Sequence, residues 1–233
     1  MQCNICMGRE FIDFNGRVAI LCSTCKSAER HRLLWFYLER LGLTPASRVL
    51  HLGPEPGIYG RLAQLLVPAN YDVRDFSPER YAFATGIKHI DLSCVDTLPS
   101  DHYDLIVHSH VLEHVLCNIA HPLYHLHRAL KPHGKHVFQV PFNGGRYDEC
   151  FQDIGSAERI RRFGQDDHVR SFGSLDVSSH LGKLLDIDDI PDAGRDFSAA
   201  RLEEANIPRQ TWQGLSPSTT FCLDKYQMTL LAP

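Results

Sequence analysis

From residue 46 onward the hydrophobic positions fall into short unbroken runs, separated by amphipathic stretches and by turn residues. Residues 48–60 read Arg-Val-Leu-His-Leu-Gly-Pro-Glu-Pro-Gly-Ile-Tyr-Gly. An apolar run that ends in a glycine and proline loop predicts a buried strand, a tight turn and then a helix, here over residues 59–67. A second strand is expected to end at Asp75, a third to cover residues 87–91 and a fourth residues 103–108. An amphipathic stretch over 122–130 is closed by Pro132-His-Gly134, and a fifth strand follows over 135–141. Residues 181–185 close a further helix and 187–190 start another strand. Residues 221–231 supply the last strand, paired as a hairpin at the sheet edge. Strands alternating with helical runs give a mostly parallel, seven-stranded α/β sheet with right-handed crossovers and flanking helices. A Pro/Gly-punctuated insert at about 186–218, partly helical over 197–206, interrupts the pattern.

The N-terminus is patterned differently. Cys3-x2-Cys6 and Cys22-x2-Cys25 flank fifteen residues that carry Asn15-Gly16, a hairpin signal between two apolar runs. That spacing brings four thiolates around one zinc ion as a zinc ribbon. Four cysteines leave no open position for water, so the zinc is expected to be structural. A helix follows from Ser27, with Leu34, Tyr37, Leu38 and Leu41 on one face and Arg30, His31 and Arg32 in its first turns. Cations at the positive end of a helix dipole want an anion, either a substrate or a facing carboxylate. The expected organisation is a ribbon over 1–28, a connecting helix over 29–45 and the sheet domain over 46–233.

The loop after the first sheet strand lies where an open α/β sheet binds its ligand. A dinucleotide site wants G-x-G-x-x-G; here the middle glycine is missing, Pro54 and Pro56 lack N–H donors, and Glu55 would repel a phosphate. An acid in this loop suits a cofactor with a cationic end and no phosphate, which describes S-adenosylmethionine better than a nicotinamide dinucleotide. Asp75, eighteen residues beyond Gly57, stands where an acid can accept the ribose hydroxyls.

The set Gly53-x3-Gly57-x2-Gly60, Asp75, Asp91-Leu92 and Tyr103-Asp-Leu-Ile-Val-x3-Val-Leu-Glu-His resembles class I S-adenosylmethionine-dependent methyltransferases of the broad type-11 kind, over roughly residues 46–233. Together with the ribbon, Ser27-x-Glu-Arg-His-Arg and Phe163-Gly-Gln-x-Asp-His-Val-Arg170, it is similar to a narrower bacterial group that carries an N-terminal zinc ribbon. The resemblance implies a Rossmann-like fold. It implies Gly53, Glu55, Gly57 and Asp75 at the cofactor, Asp91 and Leu92 at the adenine, and His110 and Glu113 near the methionine end or the substrate. The sequence departs from the family at His51, where an acid is usual, and Glu55 is expected to take over that work.

Net charge is −4 with a sequence pI near 6.4, which argues against a nucleic-acid partner. No apolar run approaches a bilayer span, and the first residues do not read as a signal peptide, so a cytoplasmic protein is expected. The remaining four of eight cysteines are scattered and expected to be reduced thiols. His110-Val-Leu-Glu-His114 matches the inverted zinc-protease motif, but no third ligand is apparent in the sequence. It sits in a histidine-rich stretch, nine of fourteen falling between His102 and His136, most of them expected on the surface or in the core. Methyl transfer is an in-line displacement in which the enzyme chiefly positions donor and acceptor. The candidates for acid–base and orienting work are His168, Arg170 and His110. The acceptor is expected to be a small molecule or a glycan. The alternatives are an RNA or protein methyltransferase that docks through the ribbon, and a non-catalytic ribbon module.

Overall fold

In the computed structural model, which describes residues 1–187 and 189–231, the N-terminal hairpin pairs β1 (Phe11–Phe14) with β2 (Arg17–Cys22). Its turn is Asn15-Gly16, both with positive φ, the backbone sense that matches strand twist. The hairpin closes the two cysteine knuckles. The sulfurs of Cys3 and Cys25 lie 3.6 Å apart and those of Cys6 and Cys22 3.5 Å apart. All four donor atoms fall within 4.8 Å of one another. A tetrahedron with metal–sulfur bonds of about 2.3 Å has edges of about 3.8 Å, and a disulfide would need about 2 Å. The cluster therefore has the spacing to hold a metal ion.

Helix α1 (Glu29–Glu39) is capped one residue later than expected, at Ala28, whose N–H donates to Nδ1 of His31 at 3.2 Å. The run from Leu33 to Leu38 is buried on every side. Arg32, fully buried, ties α1 to its surroundings through backbone carbonyls alone. It donates to Ser27 O at 2.6 Å, Ile20 O at 3.0 Å, Ala205 O at 2.7 Å and Asn206 O at 2.8 Å.

The apolar run at Val49–Leu52 becomes β3, all four residues buried. It feeds α2 (Pro56–Leu65), which starts earlier than expected, Pro56 supplying a preset φ in a first turn that needs no N–H. Next come β4 (Tyr71–Asp75), β5 (Lys88–His89), β6 (Tyr103–Ser109), α3 (Ala120–Ala129) and β7 (Leu130–Gln139). Short strands β8 (Phe142–Asn143) and β9 (Asp148–Glu149), helix α4 (Ser156–Phe163) and β10 (Arg170–Gly173) form a side layer, with strand order β8-β10-β9. The chain finishes with α5 (Leu181–Leu184), α6 (Ala193–Asp196), α7 (Ala199–Glu204) and β11 (Thr220–Asp224).

The main sheet has the order β11-β7-β6-β3-β4-β5, parallel except for β11 on β7. Among the described residues it has six strands rather than seven. Ile187 is buried beside Leu181, Leu185 and Phe221, but residues 187, 189 and 190 form no ladder, and Asp188 lies outside the described residues. Leu185 makes only a single bridge to Met228, and the Asp189 carboxylate is turned outward to Arg195. β11 is also shorter than expected. Lys225 turns inward to donate to Asp101 Oδ1 at 2.6 Å, Arg128 O at 3.0 Å and Leu130 O at 2.8 Å, which ends the strand.

Gly57, expected at the cofactor, faces the other way. A Cβ there would lie 3.1 Å from Cγ2 of Ile5 and 3.2 Å from Sγ of Cys25, so the glycine lets the first turn of α2 seat against the four-cysteine cluster.

Three histidines form a chain through the core. His108 on β6, His136 on β7 and His127 on α3 are fully buried. His127 Nδ1–H donates to Lys225 O at 3.1 Å, which leaves its Nε2 to accept from His136 Nδ1 at 3.1 Å. His136 Nε2 then accepts from His108 Nε2–H at 3.0 Å, and His108 Nδ1 ends the chain without a partner. One proton per ring satisfies this arrangement, so all three are neutral. Burial pushes His108 down to about 3, His127 down to about 4 and His136 well below the usual value.

Two outcomes are expected. A histidine with a depressed folded pKa stabilises the fold above its unfolded pKa, near 6.5, and that stability is lost as pH falls toward the folded value. Denaturant melts at about pH 7.5 and about pH 5 should thus show a loss of about 1.4 kcal/mol per histidine for each pH unit below about 6.5. A flat profile across that range would contradict the neutral chain. Gly57→Ala should cost about 1–3 kcal/mol by overpacking, and a metal-loaded ribbon should release its ion to a chelator faster than wild type.

Candidate active site

The carboxyl ends of β3, β4 and β6 open onto one cavity of about 710 Å³, within the range of small-molecule sites. Gly53 sits at its base with φ +57°, and a Cβ there would stand 2.9 Å from Cγ2 of Val111. Both facts require glycine, because the left-handed backbone and the close approach each exclude a side chain.

Glu55 follows at the N-terminus of α2, 8% exposed on the cavity wall. Its Oε2 lies 3.2 Å from Nε2 of His51, and His51 Nδ1 lies 2.8 Å from the hydroxyl of Tyr71. With Nε2–H donating to the carboxylate, Nδ1 accepts from the Tyr71 hydroxyl, so His51 fixes Glu55 in place without adding an acid. The other oxygen, Oε1, is buried and has no partner. His31 Nε2 is 4.0 Å away, beyond hydrogen-bond reach.

Asp75 ends β4 on the same wall. Its Oδ1 accepts from Ser77 N–H at 2.7 Å and its Oδ2 from the Tyr81 hydroxyl at 2.9 Å, and each oxygen keeps a lone pair free. Beyond β5, Asp91 Oδ1 takes both Ser93 N–H at 2.8 Å and Ser93 Oγ at 2.7 Å, and Leu92 adds an apolar surface. Tyr81 and Ser77 were not legible in the sequence, since nothing distinguishes them from other loop residues there.

The far wall comes from α1 and the segment after β6. Arg30 lines the cavity, its backbone carbonyl held by Gln139 Nε2 at 2.9 Å, and its Nε is buried without a partner. Of the three basic residues in that turn, Arg30 and His31 line the cavity; Arg32 is bonded within the fold, His31 caps the helix through Nδ1, and Arg30 keeps an unpartnered guanidinium nitrogen. His110 takes a left-handed backbone, φ +56°, and its Nε2–H donates to Pro217 O at 2.8 Å. Its Nδ1 lies 3.8 Å from Oε1 of Glu113. Burial pushes His110 down to about 3.

Three expected site residues stand behind the wall rather than on it. Glu113 is fully buried, neither carboxylate oxygen has a partner, and desolvation pushes it up to about 8. His168 is buried, its Nδ1–H donating to Phe163 O at 3.1 Å. Arg170 was expected to orient an anionic group, but its forked donors meet the carbonyls of Leu112 and Cys117. It is a brace for the turn after β6 and does not reach the cavity. Gly57 is also absent from the wall, as its packing against Cys25 requires.

A methyltransferase-domain family profile matches residues 27–181. The YcgJ protein of Bacillus subtilis is 15% identical with a TM-score of 0.49, over 66% of this chain and 67% of that one. An S-adenosylmethionine-dependent methyltransferase of Mesorhizobium loti is 25% identical with a TM-score of 0.40, over 52% and 60%. A chain of a complex between a methyltransferase and its activator from Haloferax volcanii is 17% identical with a TM-score of 0.48, over 83% and 88%. No curated protein sequence matches. With the profile covering β3 to β10 and every residue that lines the cavity, the chain belongs to the methyltransferase-domain family.

Proposed function

We propose that this chain is an S-adenosylmethionine-dependent methyltransferase acting on a small-molecule or glycan-type acceptor, with zinc held structurally by Cys3, Cys6, Cys22 and Cys25. The observation that carries the reading is the buried Oε1 of Glu55, which has no hydrogen-bond partner, on a residue that lines the same cavity as Asp75 at the carboxyl edge of the sheet. A carboxylate oxygen without a donor in a buried wall costs free energy until a cation meets it. The ammonium and sulfonium of S-adenosylmethionine fit that need, and no phosphate cradle competes for the loop. When bound, the cofactor supplies an electrophilic methyl group.

The protein's part is placement and charge. Glu55, oriented by His51 and Tyr71, holds the cationic end, while Gly53 keeps the floor free of side chains. Asp75, pre-set by Ser77 and Tyr81, accepts the ribose hydroxyls. Asp91 and Leu92 meet the edge and face of the adenine. Arg30 offers an unpartnered donor to a polar or anionic group of the acceptor. His110, its Nε2–H committed to Pro217, presents Nδ1 to accept a hydrogen bond from that acceptor. His110 is held in place beforehand, and such placement is where enzymes of this kind gain most of their rate.

The ribbon's contacts support an internal brace over a docking surface. Gln2 N–H donates to Glu204 O at 2.6 Å and Asn206 Nδ2 to Ala19 O at 2.8 Å, so its inner side is occupied by the insert.

Calorimetric titration with S-adenosylhomocysteine tests the assignment. Wild type should bind, Asp75→Ala should weaken binding about 10–100-fold through loss of two hydrogen bonds to an ionised group, and Glu55→Gln about tenfold. Wild-type protein that ignores the ligand would sink the reading.

A further inference from the structure

Behind the acceptor end of the cavity, Glu113, His114 and His168 bring one potential ligand atom each to within 4.8 Å of one another. Glu113 is 1% exposed with both oxygens unpartnered, and neither Arg30 nor Arg170 donates to it. Leaving an ionised carboxylate so is costly unless a cation completes it.

The two histidines are set to supply nitrogen lone pairs. His114 Nδ1 stands 3.3 Å from the Asp167 carbonyl and 3.4 Å from its Oδ2. Both partners only accept, so Nδ1 carries the proton and Nε2 is bare, 4.0 Å from Oε1 of Glu113. His168 Nδ1–H donates to Phe163 O at 3.1 Å, which leaves its Nε2 bare as well. A ligating histidine whose other nitrogen is anchored on an oxygen is the usual outer-shell arrangement of a metal site. The scaffold is also tied together: Val169 N–H donates to Glu113 O at 2.9 Å, and the two imidazoles meet edge to face at 4.7 Å.

We propose that Glu113, His114 and His168 form a second metal site that takes a divalent first-row transition cation. Two imidazoles and a carboxylate select zinc, iron, cobalt or manganese over magnesium or calcium. Ligand bonds of about 2.1 Å require the donors to close to about 3–3.5 Å, a contraction within the reach of side-chain rotation. Three protein ligands leave a coordination position open, as in catalytic rather than structural sites. His114 and Asp167 line the cavity, so that position faces it, where an acceptor oxygen completes the coordination. This last role rests on the transferase reading; the metal site does not.

Cobalt(II) titration of metal-stripped, reduced protein tests it, because thiolate coordination gives intense charge-transfer bands and a nitrogen–oxygen site does not. Wild type should take up a second equivalent after the thiolate bands saturate. Glu113→Gln, and independently His114→Ala at a partly exposed position, should weaken that second equivalent about tenfold or more while leaving the thiolate bands unchanged. Saturation of wild type at the thiolate equivalent alone, or an unaltered second equivalent in both variants, would overturn the proposal. S-adenosylhomocysteine binding measured on the same samples separates the readings. Retained binding in His114→Ala shows that the lost metal is a local effect, and a ligand-blind wild type with a second equivalent removes the transferase reading alone.

Discussion

A guanidinium taken out of water has to be met by oxygen at nearly every donor, and for Arg32 those oxygens are four backbone carbonyls from three separate places in the chain. Ile20 belongs to the ribbon hairpin, Ser27 to the start of α1, and Ala205 and Asn206 to the end of α7. Shifting any of the three leaves a buried charge without its acceptor, so the cation fixes their mutual position more strictly than apolar packing could. The rest follows from that fixed point. α1 cannot roll, so Arg30 points at the cavity while Leu33 and Leu34 point at the core. The ribbon cannot lift, so Cys25 stays against Gly57 and sets the entry of α2.

Around that frame the cavity divides into two ends of different character. The Glu55 and Asp75 end is pre-oriented: each carboxylate has fixed donors on one side and free lone pairs on the other. The Arg30 and His110 end is strained and under-satisfied, with a left-handed non-glycine residue and an orphaned guanidinium nitrogen. Stored strain and missing partners at one end of an otherwise satisfied wall are where a protein meets something other than itself.

Much of this was legible in the sequence, and what was not has physical causes. Strands β3, β6 and β7 announce themselves because a buried parallel strand needs an apolar run, and β4 because Tyr71 and Val73 alternate with Asp72 and Arg74. Gly53, Asp75 and Asp91 could be placed together from the sequence because each lies at or just past the end of a strand, and all three line the cavity. Gly57 is the counter-example: a glycine that lets a cofactor approach and one that admits the sulfur of Cys25, some thirty residues earlier in the chain, look the same in one dimension. Arg170 and Arg32 misled in the same way, since a guanidinium that binds substrate and one that binds carbonyls differ only in partners, and backbone carbonyls leave no mark in a sequence. The side layer of β8 to β10 went unseen because two-residue strands have no period to read. The expected seventh strand has no ladder at the described residues 187, 189 and 190, where the Asp189 carboxylate pairs with Arg195.

The seat of Gly57 on Cys25 bears on the order of assembly. The four cysteines and the turn of α2 that rests on them lie within the first quarter of the chain, so the loops that bring them together are short and cheap to close. Arg32's carbonyls from the insert, at separations of 173 and 174 residues, are the expensive closures. The four-cysteine knot is thus the cheaper closure and the latch of the insert through Arg32 the dearer one, and the turn of α2 behind Glu55 rests on the cheaper of the two.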